Sequence, residues 1–289
     1  MTPAEKTTLQ KTVTGLLVKY RPASPRTTAD ALRKVWRSFE ARVIHAIKAS
    51  EREKQETLGT PVPVLKVIGQ AVAKAAKKDV DAYLPLARLL WDAYGREGRV
   101  VAVYPLGALE LARPEQLVPL LRELCRGCHT WEDADQLAMY GVELIVLKDP
   151  KTWLPVMGEW LADENFWVRR AGATVIGRVA RKRTAFAGTA LEMLTPLLVD
   201  ETLEVKRAVS FAIRLVAHSS PKQVLTWMKQ QVPPQHAAAT WTLCDVIRSM
   251  AKRQLPEFRP LAKPFAAWAK SGELDARHRR SIESAAKLL

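Results

Sequence analysis

The chain has 289 residues, with 45 Lys and Arg against 30 Asp and Glu, and a formal net charge of +15. Hydrophobic residues make up 48% of it, which is enough to bury a core and excludes a wholly disordered chain. Three cysteines are too few for a disulfide scaffold, and no apolar run reaches the roughly 18 residues that cross a bilayer. With no apolar leader at the start, a soluble cytoplasmic protein without a membrane partner is expected. The positive charge favours a polyanionic partner such as nucleic acid, although a basic enzyme with another substrate also fits.

The first part of the chain differs in composition from the rest. Residues 1–56 are expected to form an N-terminal helical cap. Within it, a linker rich in Pro, Ser and Thr over 19–30 separates a short amphipathic segment from a helix that contains Trp36 and Phe39.

Residues 57–289 are expected to form one continuous domain of short helices. Apolar residues at i, i+3 and i+4 predict helices over 81–94, around 190–198 and at the C-terminal end. Prolines punctuate these segments. Proline costs little in a first helical turn but breaks the hydrogen-bond ladder in mid-helix, so many short helices with tight connections are predicted. No segment has the alternation of a strand, so the predicted fold class is all-α.

An internal repeat supports a helical-repeat architecture. Residues 160–180 align with residues 197–217 at a constant shift of 37. The identical positions are Leu161/Leu198, Asp163/Asp200, Glu164/Glu201, Val168/Val205, Arg170/Arg207, Ala171/Ala208, Ile176/Ile213, Val179/Val216 and Ala180/Ala217. An Asp in the turn can accept N–H bonds at the start of the next helix, and the Val and Ala can pack on the partner helix. This pattern is typical of HEAT repeats, and it predicts a curved superhelix of antiparallel helix pairs whose concave face suits an elongated ligand such as a duplex.

Three ordered motifs over roughly residues 57–250 resemble the alkylpurine DNA glycosylases of the AlkD type, a HEAT-like family of DNA alkylation repair. The motifs are the G-x-x-x-P-x-L-K-x-I opening over 59–68, the pair Leu89-Leu90-Trp91 and Glu97-x-Arg99 of one helix, and the pair Trp131-x-x-x-Asp135 and Trp167-x-Arg169-Arg170. The resemblance implies a monofunctional DNA glycosylase that removes cationic N3- or N7-alkylpurines from duplex DNA without cofactor or metal. It also implies a monomer of the bacterial cytoplasm that works at the nucleoid in base excision repair.

Trp131 and Asp135 are the catalytic candidates. Residues four apart lie on one face of a helix, and an indole beside a carboxylate attracts a cation. A carboxylate near the deoxyribose would stabilise the positive charge that develops as the glycosidic bond breaks. The alternatives are that Trp131 packs in the core and that Asp135 is a surface charge or a cap.

Further candidates for contact with the lesion or the DNA come from the last motif and its repeat. They are Trp167, Arg169, Arg170, Lys206, Arg207 and Phe211. The resemblance assigns one Arg of the pair Arg169 and Arg170 to a phosphate near the lesion without saying which, and both also fit a structural role within the repeat. Phe211 stands where the family carries a second tryptophan, so it is either a weaker aromatic partner for the lesion or a core residue.

One sequence motif resembles a haem attachment or zinc site, but neither is expected here. Cys125-x-x-Cys128-His129 matches a haem attachment pattern, but that attachment requires export, and a zinc site needs two further ligands nearby. These residues are expected at the turn before the Trp131 helix, with His129 near DNA. No phosphate-binding loop is present in the sequence.

Two alternatives to the glycosylase stay open. The first is a non-catalytic relative that binds damaged or branched DNA, which the Phe211 substitution favours and the retained Asp135 does not. The second is a HEAT-like scaffold for a protein partner.

Overall fold

A computed structural model of the chain describes residues 1–39, 49–110, 113–253 and 256–289, and the regular structure in these residues is helical throughout. The all-α fold class is therefore confirmed. The chain divides into two compact units, residues 1–145 and 146–289. Within the part that the structure describes, no helix combines the length and the apolar character needed to span a membrane.

The first unit contains nine helices among the described residues, the last of which ends just past its boundary. They are α1 (Pro3–Val18), α2 (Pro25–Arg37), α3 (Ala49–Arg52), α4 (Val62–Ala76), α5 (Val80–Ala93), α6 (Gly95–Glu110), α7 (Pro114–Arg126), α8 (Trp131–Gln136) and α9 (Glu143–Lys148), with a π-helical segment (Leu137–Val142) between the last two. Helix α6 packs against α4, α5 and the π-helical segment, so it lies at the centre of this unit. Its apolar residues are accordingly buried on all sides.

The second unit repeats one arrangement of helices. They are α10 (Pro150–Leu161), α11 (Phe166–Lys182), α12 (Ala187–Leu194), α13 (Leu203–Ser219), α14 (Pro221–Gln231), α15 (Thr240–Lys252), α16 (Ala262–Lys270) and α17 (Ala276–Leu288), with short 3₁₀ segments at Thr184–Phe186, Thr195–Val199, Ala237–Ala239 and Pro256–Leu261. Helices α11, α13, α15 and α17 pack each against the next and form one layer. The shorter helices between them connect successive members of that layer.

The predicted 37-residue repeat is present in three dimensions. Helices α11 and α13 have 17 residues each, and their N-caps Asn165 and Thr202 are 37 positions apart. In both turns the predicted aspartate accepts a hydrogen bond from the N-cap N–H: Asp163 from Asn165 at 2.9 Å and Asp200 from Thr202 at 2.8 Å. The N-cap of α15, Ala239, occurs after another 37 residues. The HEAT-like repeat is therefore more extensive than the two copies found in the sequence.

Two sequence-based expectations need correction. Helix α2 begins at Pro25, because proline is well placed in a first helical turn, so residues 25–30 of the predicted linker are helical. Trp91 and Glu97 do not share one helix, since the chain turns between α5 and α6 at Gly95, whose φ of +58° favours glycine.

The predicted boundary at residue 56 stays a prediction. Residues 40–48, which fall within the predicted cap, lie outside the described residues. The described part of that cap is not separate from the rest of the first unit, because α1 packs against α4 and α2 packs against α5.

Candidate functional site

The indole of Trp131 is exposed at the first position of α8. Its relative accessibility is 45%, which makes it one of the few large hydrophobic residues on the surface of the described chain. Asp135 is half-buried one turn later on the same helix. The alternative that Trp131 packs in the core is therefore wrong. The face of its indole is therefore accessible from solvent.

A buried carboxylate between these two residues fixes the start of α8. Asp133 accepts hydrogen bonds from the backbone N–H of His129 at 3.0 Å and of Thr130 at 3.2 Å. It also accepts from Arg99 Nη1 at 2.8 Å and from Gln55 Nε2 at 3.2 Å. The Thr130 hydroxyl in turn accepts the N–H of Asp133, which completes a capping box. These hydrogen bonds join residues that precede Trp131 to a residue that follows it, so they fix its position at the start of α8.

The Glu97-x-Arg99 motif provides the other half of this framework. Arg99 is buried, donates to the Gly127 carbonyl at 3.2 Å and lies 5.0 Å from the ring centroid of Trp91. Glu97 is also buried and accepts the N–H groups of Leu58 at 3.1 Å and Thr60 at 3.2 Å. Both charged residues therefore hold loops in place and do not face a ligand.

Arg96 links this network to α8. Its Nε donates to Glu132 at 2.6 Å, and its Nη1 donates to the Thr60 carbonyl at 3.1 Å. The pKa of Arg96 is raised: burial acts to lower it, but the hydrogen bond and charge of Glu132 outweigh that effect. The guanidinium stays charged, and it ties the segment before α4 to the helix that carries Trp131.

The helix after Asp135 loosens into a π-helical segment. A Cβ atom at Gly107 of α6 would overlap the Tyr140 carbonyl oxygen, so the two backbones approach more closely than a side chain allows. The Tyr140 ring lies 4.5 Å from the Tyr104 ring, and Lys66 Nζ of the opening motif lies 6.0 Å from the Tyr140 centroid. Burial, together with the neighbouring Tyr140, raises the pKa of Tyr104. Short π-helical segments occur often at functional sites.

Arg169 bridges two successive turns of the second unit. Its Nε donates to Asp200 at 2.7 Å, and its Nη1 donates to the carbonyls of Asp163 and Glu164, both at 2.8 Å. Arg170 is buried and donates to the carbonyl of Glu204 at 2.8 Å and to its carboxylate at 3.1 Å. Both guanidinium groups therefore have structural partners between repeats.

The other predicted residues of the second unit differ in exposure. Trp167 is buried, with its ring 4.6 Å from the Phe166 ring. Lys206 is half-buried, and Arg207 is exposed and pairs with Glu204 at 2.8 Å. Phe211 is half-buried, with the Arg214 guanidinium 6.0 Å from its centroid. Of the predicted cations, Arg207 is the most accessible.

The cysteine pair lies before α8, as expected from the sequence. Cys125 and Cys128 are buried free thiols, and Cys128 Sγ donates to the Leu124 carbonyl at 3.7 Å. The pKa of Cys128 is raised by burial and by its contact with Cys125. His129 is exposed, with Nδ1 3.1 Å from the Lys54 carbonyl oxygen. The described residues contain no cluster of three or more side chains that could hold a metal ion.

The framework residues Arg96 and Asp133 were not predicted from the sequence. One signal was available for Asp133, since Thr130 followed three positions later by an acidic residue is the pattern of a capping box. No local signal identifies Arg96, because two of its partners, Thr60 and Glu132, lie 36 positions away in opposite directions along the chain.

Solved structures of other proteins share the fold of this chain, whereas no curated protein matched it. The structure of smu.31 from Streptococcus mutans UA159 has 22% identity and a TM-score of 0.55, over 63% of this chain and 90% of that one. The structure of AlkD2 from Streptococcus mutans has 19% identity and a TM-score of 0.59, over 77% of this chain and 97% of that one. At such identities the likeness concerns the fold.

The family comparison is more specific than the fold. A model described as DNA alkylation repair enzyme matches residues 37–250, which is most of the chain and contains every predicted site residue. This confirms the resemblance inferred from the three motifs. The chain belongs to the DNA alkylation repair enzyme family.

Proposed function

We propose that the protein is a monofunctional DNA glycosylase. It hydrolyses the N-glycosidic bond of cationic N3- or N7-alkylated purines in duplex DNA and leaves an abasic site, as the first step of base excision repair. The observation that carries the proposal is the exposed indole of Trp131, one helical turn from Asp135, in a basic chain of this repair family.

The chemistry of the lesion matches these two side chains. An alkylated purine carries positive charge and is already a good leaving group, so the enzyme needs no strong general acid. Asp135 would stabilise the oxocarbenium-like sugar as the bond breaks and would orient the attacking water. The electron-rich face of Trp131 would pack against the cationic nucleoside. Water is the only co-reactant that this hydrolysis consumes.

The buried network beneath α8 supports the proposal. Electrostatic stabilisation is effective only when the stabilising group is held in place before the reaction. The Asp133 bonds to Arg99 and to two backbone N–H groups fix the start of the helix, and the Arg96–Glu132 ion pair anchors its outer side. Trp131 and Asp135 are therefore presented on a firmly anchored turn.

Arg207 is the best-supported candidate for a phosphate contact. It is exposed, and its ion pair is with Glu204 of its own helix, so it bridges no other element through that pair. Lys206, beside it, remains a second candidate. Arg169 and Arg170 already donate hydrogen bonds to the protein. Each guanidinium has five N–H groups, so a phosphate would have to share these groups with the protein partners. We infer that a duplex lies against this basic part of the chain and that the protein acts as a cytoplasmic monomer at the nucleoid.

The decisive experiment is a base-release assay on methylated duplex DNA. We expect release of methylated purines by the wild type and a loss of about 10²–10³ in rate for Asp135→Asn, because a neutral amide cannot stabilise the sugar cation. Asp92→Asn serves as the control, since Asp92 is an exposed acid on α5. Full activity of Asp135→Asn would refute the mechanism.

A non-catalytic DNA-binding protein is the second candidate, and the Phe211 position favours it. Phe has a smaller and less electron-rich face than Trp, so it attracts a cationic base less. Salt-sensitive binding of duplex DNA without base release would support this alternative. Absence of duplex binding at about 50 mM salt would instead point to a scaffold for a protein partner.

A further inference from the structure

A second pair of Trp and Asp, four residues apart, lies at the start of another helix. Trp241 and Asp245 occupy the first two turns of α15. Trp131 and Asp135 occupy the equivalent turns of α8. In both places the i and i+4 spacing puts an indole and a carboxylate on one face. The motifs that resemble the repair family include the first pair and do not include the second.

The second pair lines a cavity. The cavity has a volume of about 130 Å³ and lies between α15 and α17. Its lining residues are Trp241, Cys244, Asp245, Arg248, Arg277, His278 and Ser281. This volume is close to the roughly 150 Å³ of a cavity that binds benzene, so it admits one heterocyclic ring. One aromatic wall with several converging polar groups is typical of a ligand site. The family match ends at residue 250, so the side formed by α17 lies outside it.

The charges at this cavity are opposite to those expected of a site for a cation. Asp245 already accepts the Ser210 hydroxyl at 2.6 Å and Arg248 at 2.6 Å, and Arg214 lies 3.8 Å away. Its negative charge is therefore compensated from within the protein. Arg277 adds a further guanidinium from α17. Asp275, which lies 2.7 Å from the lining residue His278, adds a second carboxylate. Three guanidinium groups against two carboxylates leave the local balance positive, which favours an anionic ligand.

We propose that this cavity binds one nucleotide unit, with the base stacked on Trp241 and the phosphate held by Arg277 and Arg248. An indole face with adjacent guanidinium groups provides the stacking surface and the positive charge that proteins use to hold unpaired nucleotides. The unit is either a free mononucleotide or an unpaired nucleotide of a DNA strand. The inference depends on the second unit alone and not on Asp135, so it goes beyond the proposed glycosylase.

Binding measurements on the full chain test this proposal. The probes are thymidine 5′-monophosphate, a fluorescent (dT)₈ strand and inorganic phosphate, and the variants are Trp241→Leu and Arg277→Ala. We expect Trp241→Leu to weaken binding of the nucleotide or the strand about tenfold, with no change for inorganic phosphate. Arg277→Ala is expected to weaken binding of every probe that the wild type holds. Arg280→Ala, a change of equal charge on the same helix but away from the cavity, should change nothing.

The outcomes distinguish a free mononucleotide from an unpaired nucleotide of a strand. They also test the nucleotide site independently of the proposed glycosylase. Binding of the free nucleotide identifies a mononucleotide site, and binding of (dT)₈ alone identifies a site for an unpaired strand. The proposal is overturned if the wild type binds neither probe, or if Arg277→Ala, a change at an exposed position, binds both as the wild type does. Trp131→Ala should leave nucleotide binding at this cavity unchanged whatever it does to base release, so one proposal can fail without the other.

Discussion

Arg99 and Asp133 form a buried ion pair, with Nη1 and Oδ2 2.8 Å apart. It joins the central helix α6 to the start of α8, and Asp133 uses the same oxygen to accept two backbone N–H groups. Two acids thus lie two positions apart on α8 with different surroundings. Asp133 is buried, whereas Asp135 is half-buried on the face that presents Trp131.

Replacement of Asp133 by alanine should destabilise the protein strongly. The change leaves Arg99 buried without its carboxylate, and removal of one partner of such a pair costs about 3–5 kcal/mol. Asp92→Ala is the matched control, because its exposed ion pair with Arg88 is worth about 0–1 kcal/mol. Chemical denaturation followed by far-UV circular dichroism measures both free energies of unfolding. Equal stability of the two variants would mean that the buried pair does not anchor α8.

The close approach of α6 to the π-helical segment gives a second prediction. Gly107→Ala places a methyl group against the Tyr140 carbonyl oxygen, and relief of that overlap requires a backbone shift that costs about 1–3 kcal/mol. Gly188→Ala on α12 meets no atom within 4 Å and should instead stabilise the protein by about 0.4–1 kcal/mol. The two changes are chemically identical, so opposite shifts in Tm isolate the effect of the contact. A Tm rise in both variants would contradict the close approach.

Much of the fold could be predicted from the sequence because the repeat depends on hydrogen bonds between residues close together in the chain. The aspartates Asp163 and Asp200 each bond to an N–H two residues later, and this local chemistry leaves the same residue at the same spacing in both copies. The π-helical segment could not be predicted, since it depends on the close approach of Gly107, in a helix about 30 residues earlier, to the Tyr140 carbonyl. Long-range packing of this kind leaves no local pattern.

The candidate site could be predicted in part, because the spacing of its two main residues is also a local pattern. The i and i+4 spacing put Trp131 and Asp135 on one face, and the exposure of Trp131 agrees with a role at the surface. Sequence pattern cannot separate a charged residue that faces DNA from one that bonds across a repeat. Arg169 and Arg207 are both basic residues near helix starts, but Arg169 reaches the neighbouring turn whereas Arg207 pairs within its own helix.

Arg169 and Arg207 should therefore respond differently to alanine. Arg169→Ala removes charge-assisted hydrogen bonds to Asp200 and to two carbonyls, so the free energy of unfolding should fall by about 2–3 kcal/mol. Arg207→Ala removes an exposed pair and should change stability by about 0.5 kcal/mol or less.

Duplex binding completes that comparison. If Arg207 contacts a phosphate, its loss should reduce the slope of log K against log salt by about 1 and weaken binding alike for all sequences. Fluorescence anisotropy titrations between about 50 and 200 mM salt measure the slope. An unchanged slope for Arg207→Ala would remove this residue from the proposed DNA contact, and an unchanged stability for Arg169→Ala would contradict its bridging role.

The buried cysteines give a prediction about pH. Burial raises the pKa of Cys244 to about 12, and burial with the neighbouring Cys125 raises the pKa of Cys128. The thiolate is the reactive form, so at pH 8 a thiol with a pKa near 12 is about 10⁻⁴ ionised, against roughly a quarter for an ordinary cysteine. Alkylation of native Cys244 by iodoacetamide should be slower by about 10³ than alkylation of the unfolded chain, and its rate should rise with pH. Mass spectrometry of peptides after timed labelling measures this, with labelling in guanidinium chloride as the reference. Equal rates at pH 8 in the native and unfolded chain would show that the interface between α15 and α17 opens freely.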